Sequence, residues 1–248
     1  MPRYFIEVAY KGTHYSGFQV QQNAITIQSV VEDALQIFYR QPLQLTCSSR
    51  TDAGVHALQN FYHVDTDLPL DKKVYNLNAL LPNDVVIKNI AQVKDNVHAR
   101  FSGEAREYKY FITQDKNPFL EETAWRYVFP LDIEILNACA AVLFEYQDFT
   151  SFSKKHTQVN NFNCDIMLSQ WIYENDCLVF NVKANRFLRG MVRGLVGTML
   201  LAGRGTISVA DFRNIIEAKD CTKANFSTPA HGLFLVKVTY PDDIYTLA

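Results

Sequence analysis

The hydrophobic pattern of this chain switches repeatedly between the two-residue period of a strand and the 3.6-residue period of a helix. Residues 3–10 alternate between apolar and mixed positions, which predicts a strand. Residues 27–40 carry apolar side chains at helical spacing after Thr26, whose hydroxyl can cap the first turn of a helix. The same reasoning predicts strands at 59–65 and 85–93 and a short helix at 71–81 that ends before Pro82.

The second part of the chain shows the same mixture of periods. Two alternating runs at 166–174 and 177–184 flank Asn175-Asp176, a pair that tolerates positive φ, and therefore predict a hairpin. The other predicted elements are strands at 106–112 and 233–239 and helices at 131–144, 186–202 and 208–218. This mixture of strands and helices is compatible with an α+β fold but does not by itself establish one.

The chain is long enough for two cores. With 248 residues and 48% hydrophobic content it can form one large core or two smaller ones. Ser102-Gly103 interrupts the pattern, so we predict two halves, 1–103 and 104–248, and a single α+β domain remains the alternative.

Composition limits the classes of partner and the compartment. No leader-like segment and no run of about 18 apolar residues is present, so no membrane contact is expected. The five cysteines form no Cys-x-x-Cys pair, which argues against a metal site and favours a cytoplasmic protein with reduced thiols. The net charge of -2 argues mildly against a nucleic-acid partner. The basic residues nevertheless cluster, because four arginines fall within a short stretch: Arg186, Arg189, Arg193 and Arg204.

Residues 48–57 contain the carboxylate of most interest, Asp52. Asp-Ala-Gly is ordinary turn chemistry, so a structural role is the simple interpretation. Arg50, however, lies two residues earlier and could form an ion pair that keeps the carboxylate ionised. An ionised carboxylate can act as a nucleophile or a base.

The segments around 106–112 and 186–197 contain the other candidate residues. Tyr108 and Tyr110 share one strand face, where a tyrosine is either core or a ring that can stack on a base. In the predicted helix 186–202 the arginines share one face. Beside them lie three glycines, which cost roughly 1 kcal/mol each relative to alanine. Such glycines indicate that a neighbouring segment or RNA packs close to the helix.

These segments resemble the TruA family of tRNA pseudouridine synthases. The string from Arg50 to Ala57 is similar to the active-site motif of that family, and shorter family strings occur in order along nearly the whole chain. The shorter strings begin at Tyr10, Gly17, His98, Arg106, Phe187 and Pro229. Ser49, Phe18 and Gly190 stand where the family usually has Gly, Trp, and His or Asn, and Glu107 and Lys109 fill positions that are often basic.

The resemblance implies an architecture and a reaction. The fold would be α+β, with two related halves whose antiparallel sheets join side by side, flanking helices and a basic cleft between the halves. The reaction would convert uridine to pseudouridine at positions 38, 39 and 40 in the anticodon arm of tRNA. It would require no cofactor and no metal, and a homodimer would bind one tRNA through both subunits.

The resemblance also implies roles for individual residues. Asp52 would be the catalytic carboxylate and Tyr110 would lie against the target base, while Arg193 competes with Arg50 as the ion-pair partner of Asp52. Further substrate-binding residues would be Lys11, Phe18, Gln19, Gln21, His56, Arg106, Arg186, Arg189 and Arg204. Asp52 could attack the ribose C1′ or remove a ribose proton, and both routes stay open.

Two other functions remain open at this level. A non-catalytic RNA-binding module would bind tRNA without forming pseudouridine, although the intact Arg50-Thr51-Asp52 string argues against it. A nucleoside hydrolase would release free uracil, but no second carboxylate stands at a useful spacing.

Overall fold

The computed structural model describes residues 1–70, 73–155 and 159–246. The strands are β1 Arg3–Tyr10, β2 Thr46–Cys47, β3 His56–Asp65, β4 Val85–Val93, β5 Ala105–Thr113, β6 Trp125–Arg126, β7 Ile166–Glu174, β8 Cys177–Ala184 and β9 Leu233–Thr239. The helices are α1 Ile27–Tyr39, α2 Val74–Asn78, α3 Ile133–Val142, α4 Met191–Gly203 and α5 Val209–Glu217. Both kinds of element occur throughout, so the predicted α+β class is confirmed. None of the described helices has the length and apolar character needed to span a bilayer.

The contacts divide the chain into two units. The first unit contains Met1–Glu104 together with the segment that begins at Phe234, and the second contains Ala105–Leu233. The sequence-based division had placed all of 104–248 in the second half. The last segment belongs with the first unit because β9 pairs in parallel with β3. In addition, the Tyr240 ring packs edge-on against Phe5 and Phe61, with centroids 5.1 and 5.2 Å away.

In the first unit β1 is the central strand. It pairs antiparallel with β3 on one side and β4 on the other, and β2 adds to β3. Helix α1 begins as the sequence predicts, because the Thr26 hydroxyl accepts from the backbone N–H of Ser29 at 3.1 Å. The helix buries Ile27, Val31 and Leu35. The predicted helix at 71–81 is α2, and residues 71 and 72 of that prediction lie outside the described residues.

In the second unit β8 is the central strand, flanked by antiparallel β5 and β7. The predicted hairpin is confirmed, since Asn175 and Asp176 have φ values of 49° and 61° and Glu174 pairs with Cys177. Helix α3 packs against α4, α5 and β7. The Trp171 and Phe180 rings, 5.1 Å apart, are both buried.

One helix begins later than predicted. The pattern predicted a helix over 186–202, but α4 begins at Met191 because Gly190 has a φ of 75°, a left-handed conformation that an α-helix excludes. Arg186 and Arg189 therefore precede the helix, and Arg193 lies in its first turn. The predicted single helical face of arginines is wrong.

Burial of His63 makes the stability of the first unit depend on pH. Burial, with the nearby charges of Arg3 and His98, lowers the pKa of His63 from 6.5 to about 4. The unfolded chain therefore binds more protons than the folded chain between these pH values, so His63 contributes stability above about pH 6.5 that is lost as the pH falls towards 4. We expect His63→Asn, which keeps an acceptor for the Ala99 N–H, to lose less unfolding free energy over this range than the wild type. Urea unfolding at a series of pH values measures this, and parallel curves for the two proteins would contradict it.

Candidate active site

Asp52 lies at the start of a tight turn in the first unit. The backbone N–H of Val55 donates to the Asp52 carbonyl at 3.2 Å, and Gly54 adopts a φ of 78°. The preceding residue is fixed by the sheet, because the Thr51 hydroxyl bonds to the Tyr10 hydroxyl at 2.7 Å. Asn60 of β3 donates to the same Tyr10 oxygen at 3.2 Å and to the Ser49 carbonyl at 2.9 Å. The half-buried Asp52 thus belongs to a turn that is tied to β1 and β3.

The loop after β1 packs on this turn through backbone. The N–H of Gly12 donates to Nδ1 of His56 at 3.0 Å, and the N–H of Phe18 donates to the Thr51 carbonyl at 3.1 Å. A Cβ at Gly12 would come within 2.0 Å of the Val55 carbonyl oxygen, so only glycine fits there. Gly17 has a φ of 97°, and a Cβ there would meet the Thr51 carbonyl oxygen at 3.0 Å.

Two residues predicted to bind substrate are buried in the first unit. Phe18 is 0% exposed and stacks between Tyr10 and Tyr62, at centroid distances of 5.4 and 4.4 Å. His56 is 1% exposed, and its ring lies 4.5 Å from that of Phe234. Both rings are used in packing within the first unit. The nearby predicted residues differ: Gln19 and Gln21 are exposed and Lys11 is half-buried.

Arg50 is exposed. Within the described residues no ion pair joins Arg50 to Asp52. The alternation of residues 50 and 52 thus does not by itself bring the two charged groups together.

Tyr110 of β5 is the candidate base-stacking residue, and it lies in the second unit. Its ring is 0% exposed and its hydroxyl donates to the Pro229 carbonyl at 2.8 Å. Trp125 meets the ring edge-on, with centroids 6.5 Å apart. A Cβ at Gly232 would lie 2.8 Å from Cζ of Tyr110, so glycine is required beside the ring. Burial raises the pKa of Tyr110, and the charge of Arg193 opposes this. The phenol is therefore a hydrogen-bond donor at neutral pH.

Arg193 binds the same segment as Tyr110, at the residue before Pro229. Its Nε donates to the Thr228 carbonyl at 2.7 Å, and the Thr228 hydroxyl donates back to the Arg193 carbonyl at 2.8 Å. Two consecutive carbonyls, those of Thr228 and Pro229, thus accept from the two residues that the resemblance places in catalysis.

The glycines of α4 explain how this segment approaches the helix. A Cβ at Gly197 would lie 2.3 Å from the Asn225 carbonyl oxygen and 2.6 Å from the Thr228 hydroxyl, and one at Gly194 would lie 2.7 Å from the Phe226 ring. The N–H of Asn225 also donates to the Thr198 hydroxyl at 2.9 Å. Of the two explanations for the glycines, a neighbouring protein segment is therefore the one that the structure shows.

The remaining predicted arginines occupy different places. Arg106 donates to the Asn185 carbonyl at 3.1 Å, and Arg186 donates to the Asn161 side chain at 3.3 Å. Arg189 is exposed. Arg204 lies at the far end of α4, roughly 16 Å along the axis from Arg193. There it covers the Phe129 ring and bonds to the Thr206 hydroxyl. The four arginines that cluster in sequence are thus divided between the two ends of the helix.

Comparison with known proteins identifies the family. A family profile described as tRNA pseudouridine synthase matches residues 6–102 and 140–241. The chain is 46% identical over 248 residues to tRNA pseudouridine synthase A of Parabacteroides distasonis, with 99% of this chain and 98% of that protein covered. It is 47% identical over 247 residues to the protein of the same name from Bacteroides fragilis, with 98% of each chain covered. This chain belongs to the tRNA pseudouridine synthase family.

Three residues that support the candidate site were not predicted from the sequence. Asn60 and Thr228 hold the Asp52 turn and the Tyr110 segment, but each bonds to residues that are remote in sequence and no motif marks it. Trp125 is a third such residue, and its position just before Tyr127 and Phe129 in an aromatic run was the available signal. Among the described residues no group of three or more His, Cys, Asp or Glu side chains is placed to hold a metal ion.

The two glycines of α4 provide a matched test of the packing. Gly197→Ala places a methyl group against a backbone carbonyl that cannot rotate away, so we expect a loss of about 2 kcal/mol in unfolding free energy. Gly194→Ala meets only the half-buried Phe226 ring, which can shift, and gains about 1 kcal/mol of helix propensity. Urea unfolding of both variants measures the difference, and a Gly197→Ala protein as stable as Gly194→Ala would contradict the packing described.

Proposed function

We propose that this chain isomerises uridine to pseudouridine at positions 38, 39 and 40 in the anticodon arm of tRNA, with Asp52 as the catalytic carboxylate. Similarity over nearly the whole length to proteins named tRNA pseudouridine synthase A supports the class of reaction. The observation that carries the assignment of Asp52 is its turn, which is held in place by hydrogen bonds to Thr51 and Ser49 from β1 and β3.

The chemistry requires a carboxylate and no external reagent. The N-glycosidic bond of the uridine breaks, the uracil turns, and a C–C bond forms between C5 and the ribose C1′. The proton of C5 leaves to solvent and N1 gains a proton, so atoms and electrons balance without oxidant, reductant or water. Asp52 either attacks C1′ or removes a ribose proton, and both roles need a positioned acceptor. We propose that the reaction uses no cofactor or metal.

Tyr110 is proposed as the ring that lies against the target base. The target must leave its stack, at a cost of a few kcal/mol, and stacking on an aromatic ring can offset that cost. Because the ring is buried, substrate binding must displace what covers it. Its raised pKa keeps the hydroxyl protonated, so we assign it a stacking and hydrogen-bonding role and not that of a phenolate base.

Of the two arginine candidates, we propose Arg193 for the catalytic role. Its guanidinium is oriented by the Thr228 carbonyl, whereas Arg50 is exposed. An oriented guanidinium loses less entropy when it pairs with an anion. The other candidates are proposed to contact the RNA backbone: Arg50, Lys11, Gln19, Gln21, Arg106, Arg186 and Arg189.

The setting of the reaction is proposed on the resemblance. The enzyme would act as a cytoplasmic homodimer on the folded anticodon arm. Folded RNA is recognised through its shape, its phosphates and its 2′-hydroxyl groups, which suits arginine and glutamine side chains.

Replacement of the carboxylate tests the catalytic assignment. We expect Asp52→Asn to reduce tritium release from tRNA carrying C5-labelled uridine by at least about 10³-fold, because the amide is neither nucleophile nor base. The matched control is Asp33→Asn on the exposed face of α1, which should keep wild-type activity. Equal tritium release by the Asp52→Asn protein and the wild type would end the assignment.

Removal of one exposed charge tests the RNA-binding assignment. Arg189→Ala should raise KM and reduce the salt dependence of tRNA binding, because each lost phosphate contact lowers the slope of log K against log salt by about 0.7 to 0.9. Lys116→Ala, also exposed, removes the same charge from a distant loop and should leave the slope unchanged. An unchanged slope for Arg189→Ala would show that this side chain does not contact phosphate.

A further inference from the structure

Lys154 lies against the turn that precedes α4. Its backbone N–H donates to the Arg189 carbonyl at 3.0 Å, so these two residues are adjacent in space although they are distant in sequence. Its methylene groups cover Gly190, because a Cβ built there would lie 3.1 Å from both Cγ and Cε of Lys154. The lysine stem therefore occupies the space that any larger residue at 190 would need.

The position of Lys154 is fixed by the core behind it. Lys154 follows Phe149 and Phe152, both fully buried, and the Phe152 ring packs 6.0 Å from that of Phe212. The Ser153 N–H donates to the Thr150 carbonyl at 3.1 Å, which closes the short turn before the lysine. The Lys154 backbone is thus held by the turn that precedes it and by its own hydrogen bond to Arg189.

The ion pairs of the described residues do not include these two cations. In the described part of the chain neither Lys154 nor Arg189 takes part in an ion pair. Two other lysines of the same unit do have ion pairs: Lys219 pairs with Asp148 at 2.8 Å and Lys109 with Glu174 at 2.6 Å. Two cationic residues whose backbones are hydrogen-bonded, and which have no ion-pair partner, favour the binding of an anion.

We propose that Lys154 and Arg189 together form a binding site for an RNA phosphate, with Lys154 as a substrate-binding residue that no motif of the sequence marks. The inference rests on the proposed function for the identity of the RNA, which is tRNA. Lysine and arginine side chains that meet phosphates release condensed counterions, so the contribution of this site falls with rising salt. Gly190, which has no side chain, leaves room for the lysine stem.

The test compares variants that separate charge from packing. Lys154→Met keeps the aliphatic stem over Gly190 and removes the charge, Lys154→Arg keeps the charge, and Lys116→Gln removes a distant exposed charge. Binding of an unmodified tRNA transcript is measured over a range of salt concentrations with the full-length protein, each variant also carrying Asp52→Asn to prevent turnover. We expect Lys154→Met to lower the salt slope by about 0.7 to 0.9, and the other two variants to keep the parental slope.

Steady-state kinetics provide a second measurement, with Lys154→Met in a protein that keeps Asp52. Lys154→Met should raise KM with kcat unchanged, because a phosphate contact that takes no part in the bond changes binds substrate and transition state equally. If Lys154→Met keeps the salt slope and the KM of its parent protein, the inference is wrong, even if the protein forms pseudouridine. A lowered slope in a protein that forms no pseudouridine would uphold the phosphate site and reject the proposed reaction.

Discussion

The carbonyl of Val55 lies where a Cβ of residue 12 would have to be, and the geometry around Asp52 depends on this contact. With glycine at position 12, the loop after β1 can rest directly on the turn, and its backbone N–H can reach His56. Gly17 permits a second approach to the Thr51 carbonyl. The backbone of the turn that carries Asp52 is consequently held by backbone contacts and by hydrogen bonds from β1 and β3.

In the second unit, too, a glycine allows one backbone segment to pack closely against another. Gly197 permits the Asn225 carbonyl to approach the axis of α4, and this approach places the carbonyls of Thr228 and Pro229 where Arg193 and Tyr110 donate to them. Each glycine in a helix weakens the helix, and the segment packed against it restores that stability through hydrogen bonds and burial. The turn that carries Asp52 and the segment bound by Arg193 and Tyr110 are therefore both positioned by close backbone packing at glycines.

The sequence predicted the bounds of several strands well. Strands β1, β4 and β9 begin and end at the predicted residues, although burial alternates along each of them only in part. The start of α4 was wrong, since hydrophobic spacing continues through Arg186–Gly190 and does not register that Gly190 has a positive φ. The last strand was assigned to the wrong unit because periodicity carries no information about which strand is its neighbour.

The candidate site could be predicted only in part for a similar reason. A motif indicates which side chains belong together but not which of them face solvent, so Phe18 and His56 were expected to bind RNA although they are buried. Lys154 was missed because 35 residues separate it from Arg189 in sequence, and only a backbone hydrogen bond shows that the two are adjacent.

The central claim is that this chain alone forms pseudouridine at defined positions of the anticodon arm. The most direct measurement is a nucleotide-resolved map of pseudouridine, by carbodiimide modification and reverse transcription, in an unmodified tRNA transcript treated with the purified protein and chelator. The account predicts new pseudouridine at positions 38, 39 and 40 and no free uracil. Release of uracil, binding without any new pseudouridine, or pseudouridine only outside the anticodon arm would contradict it.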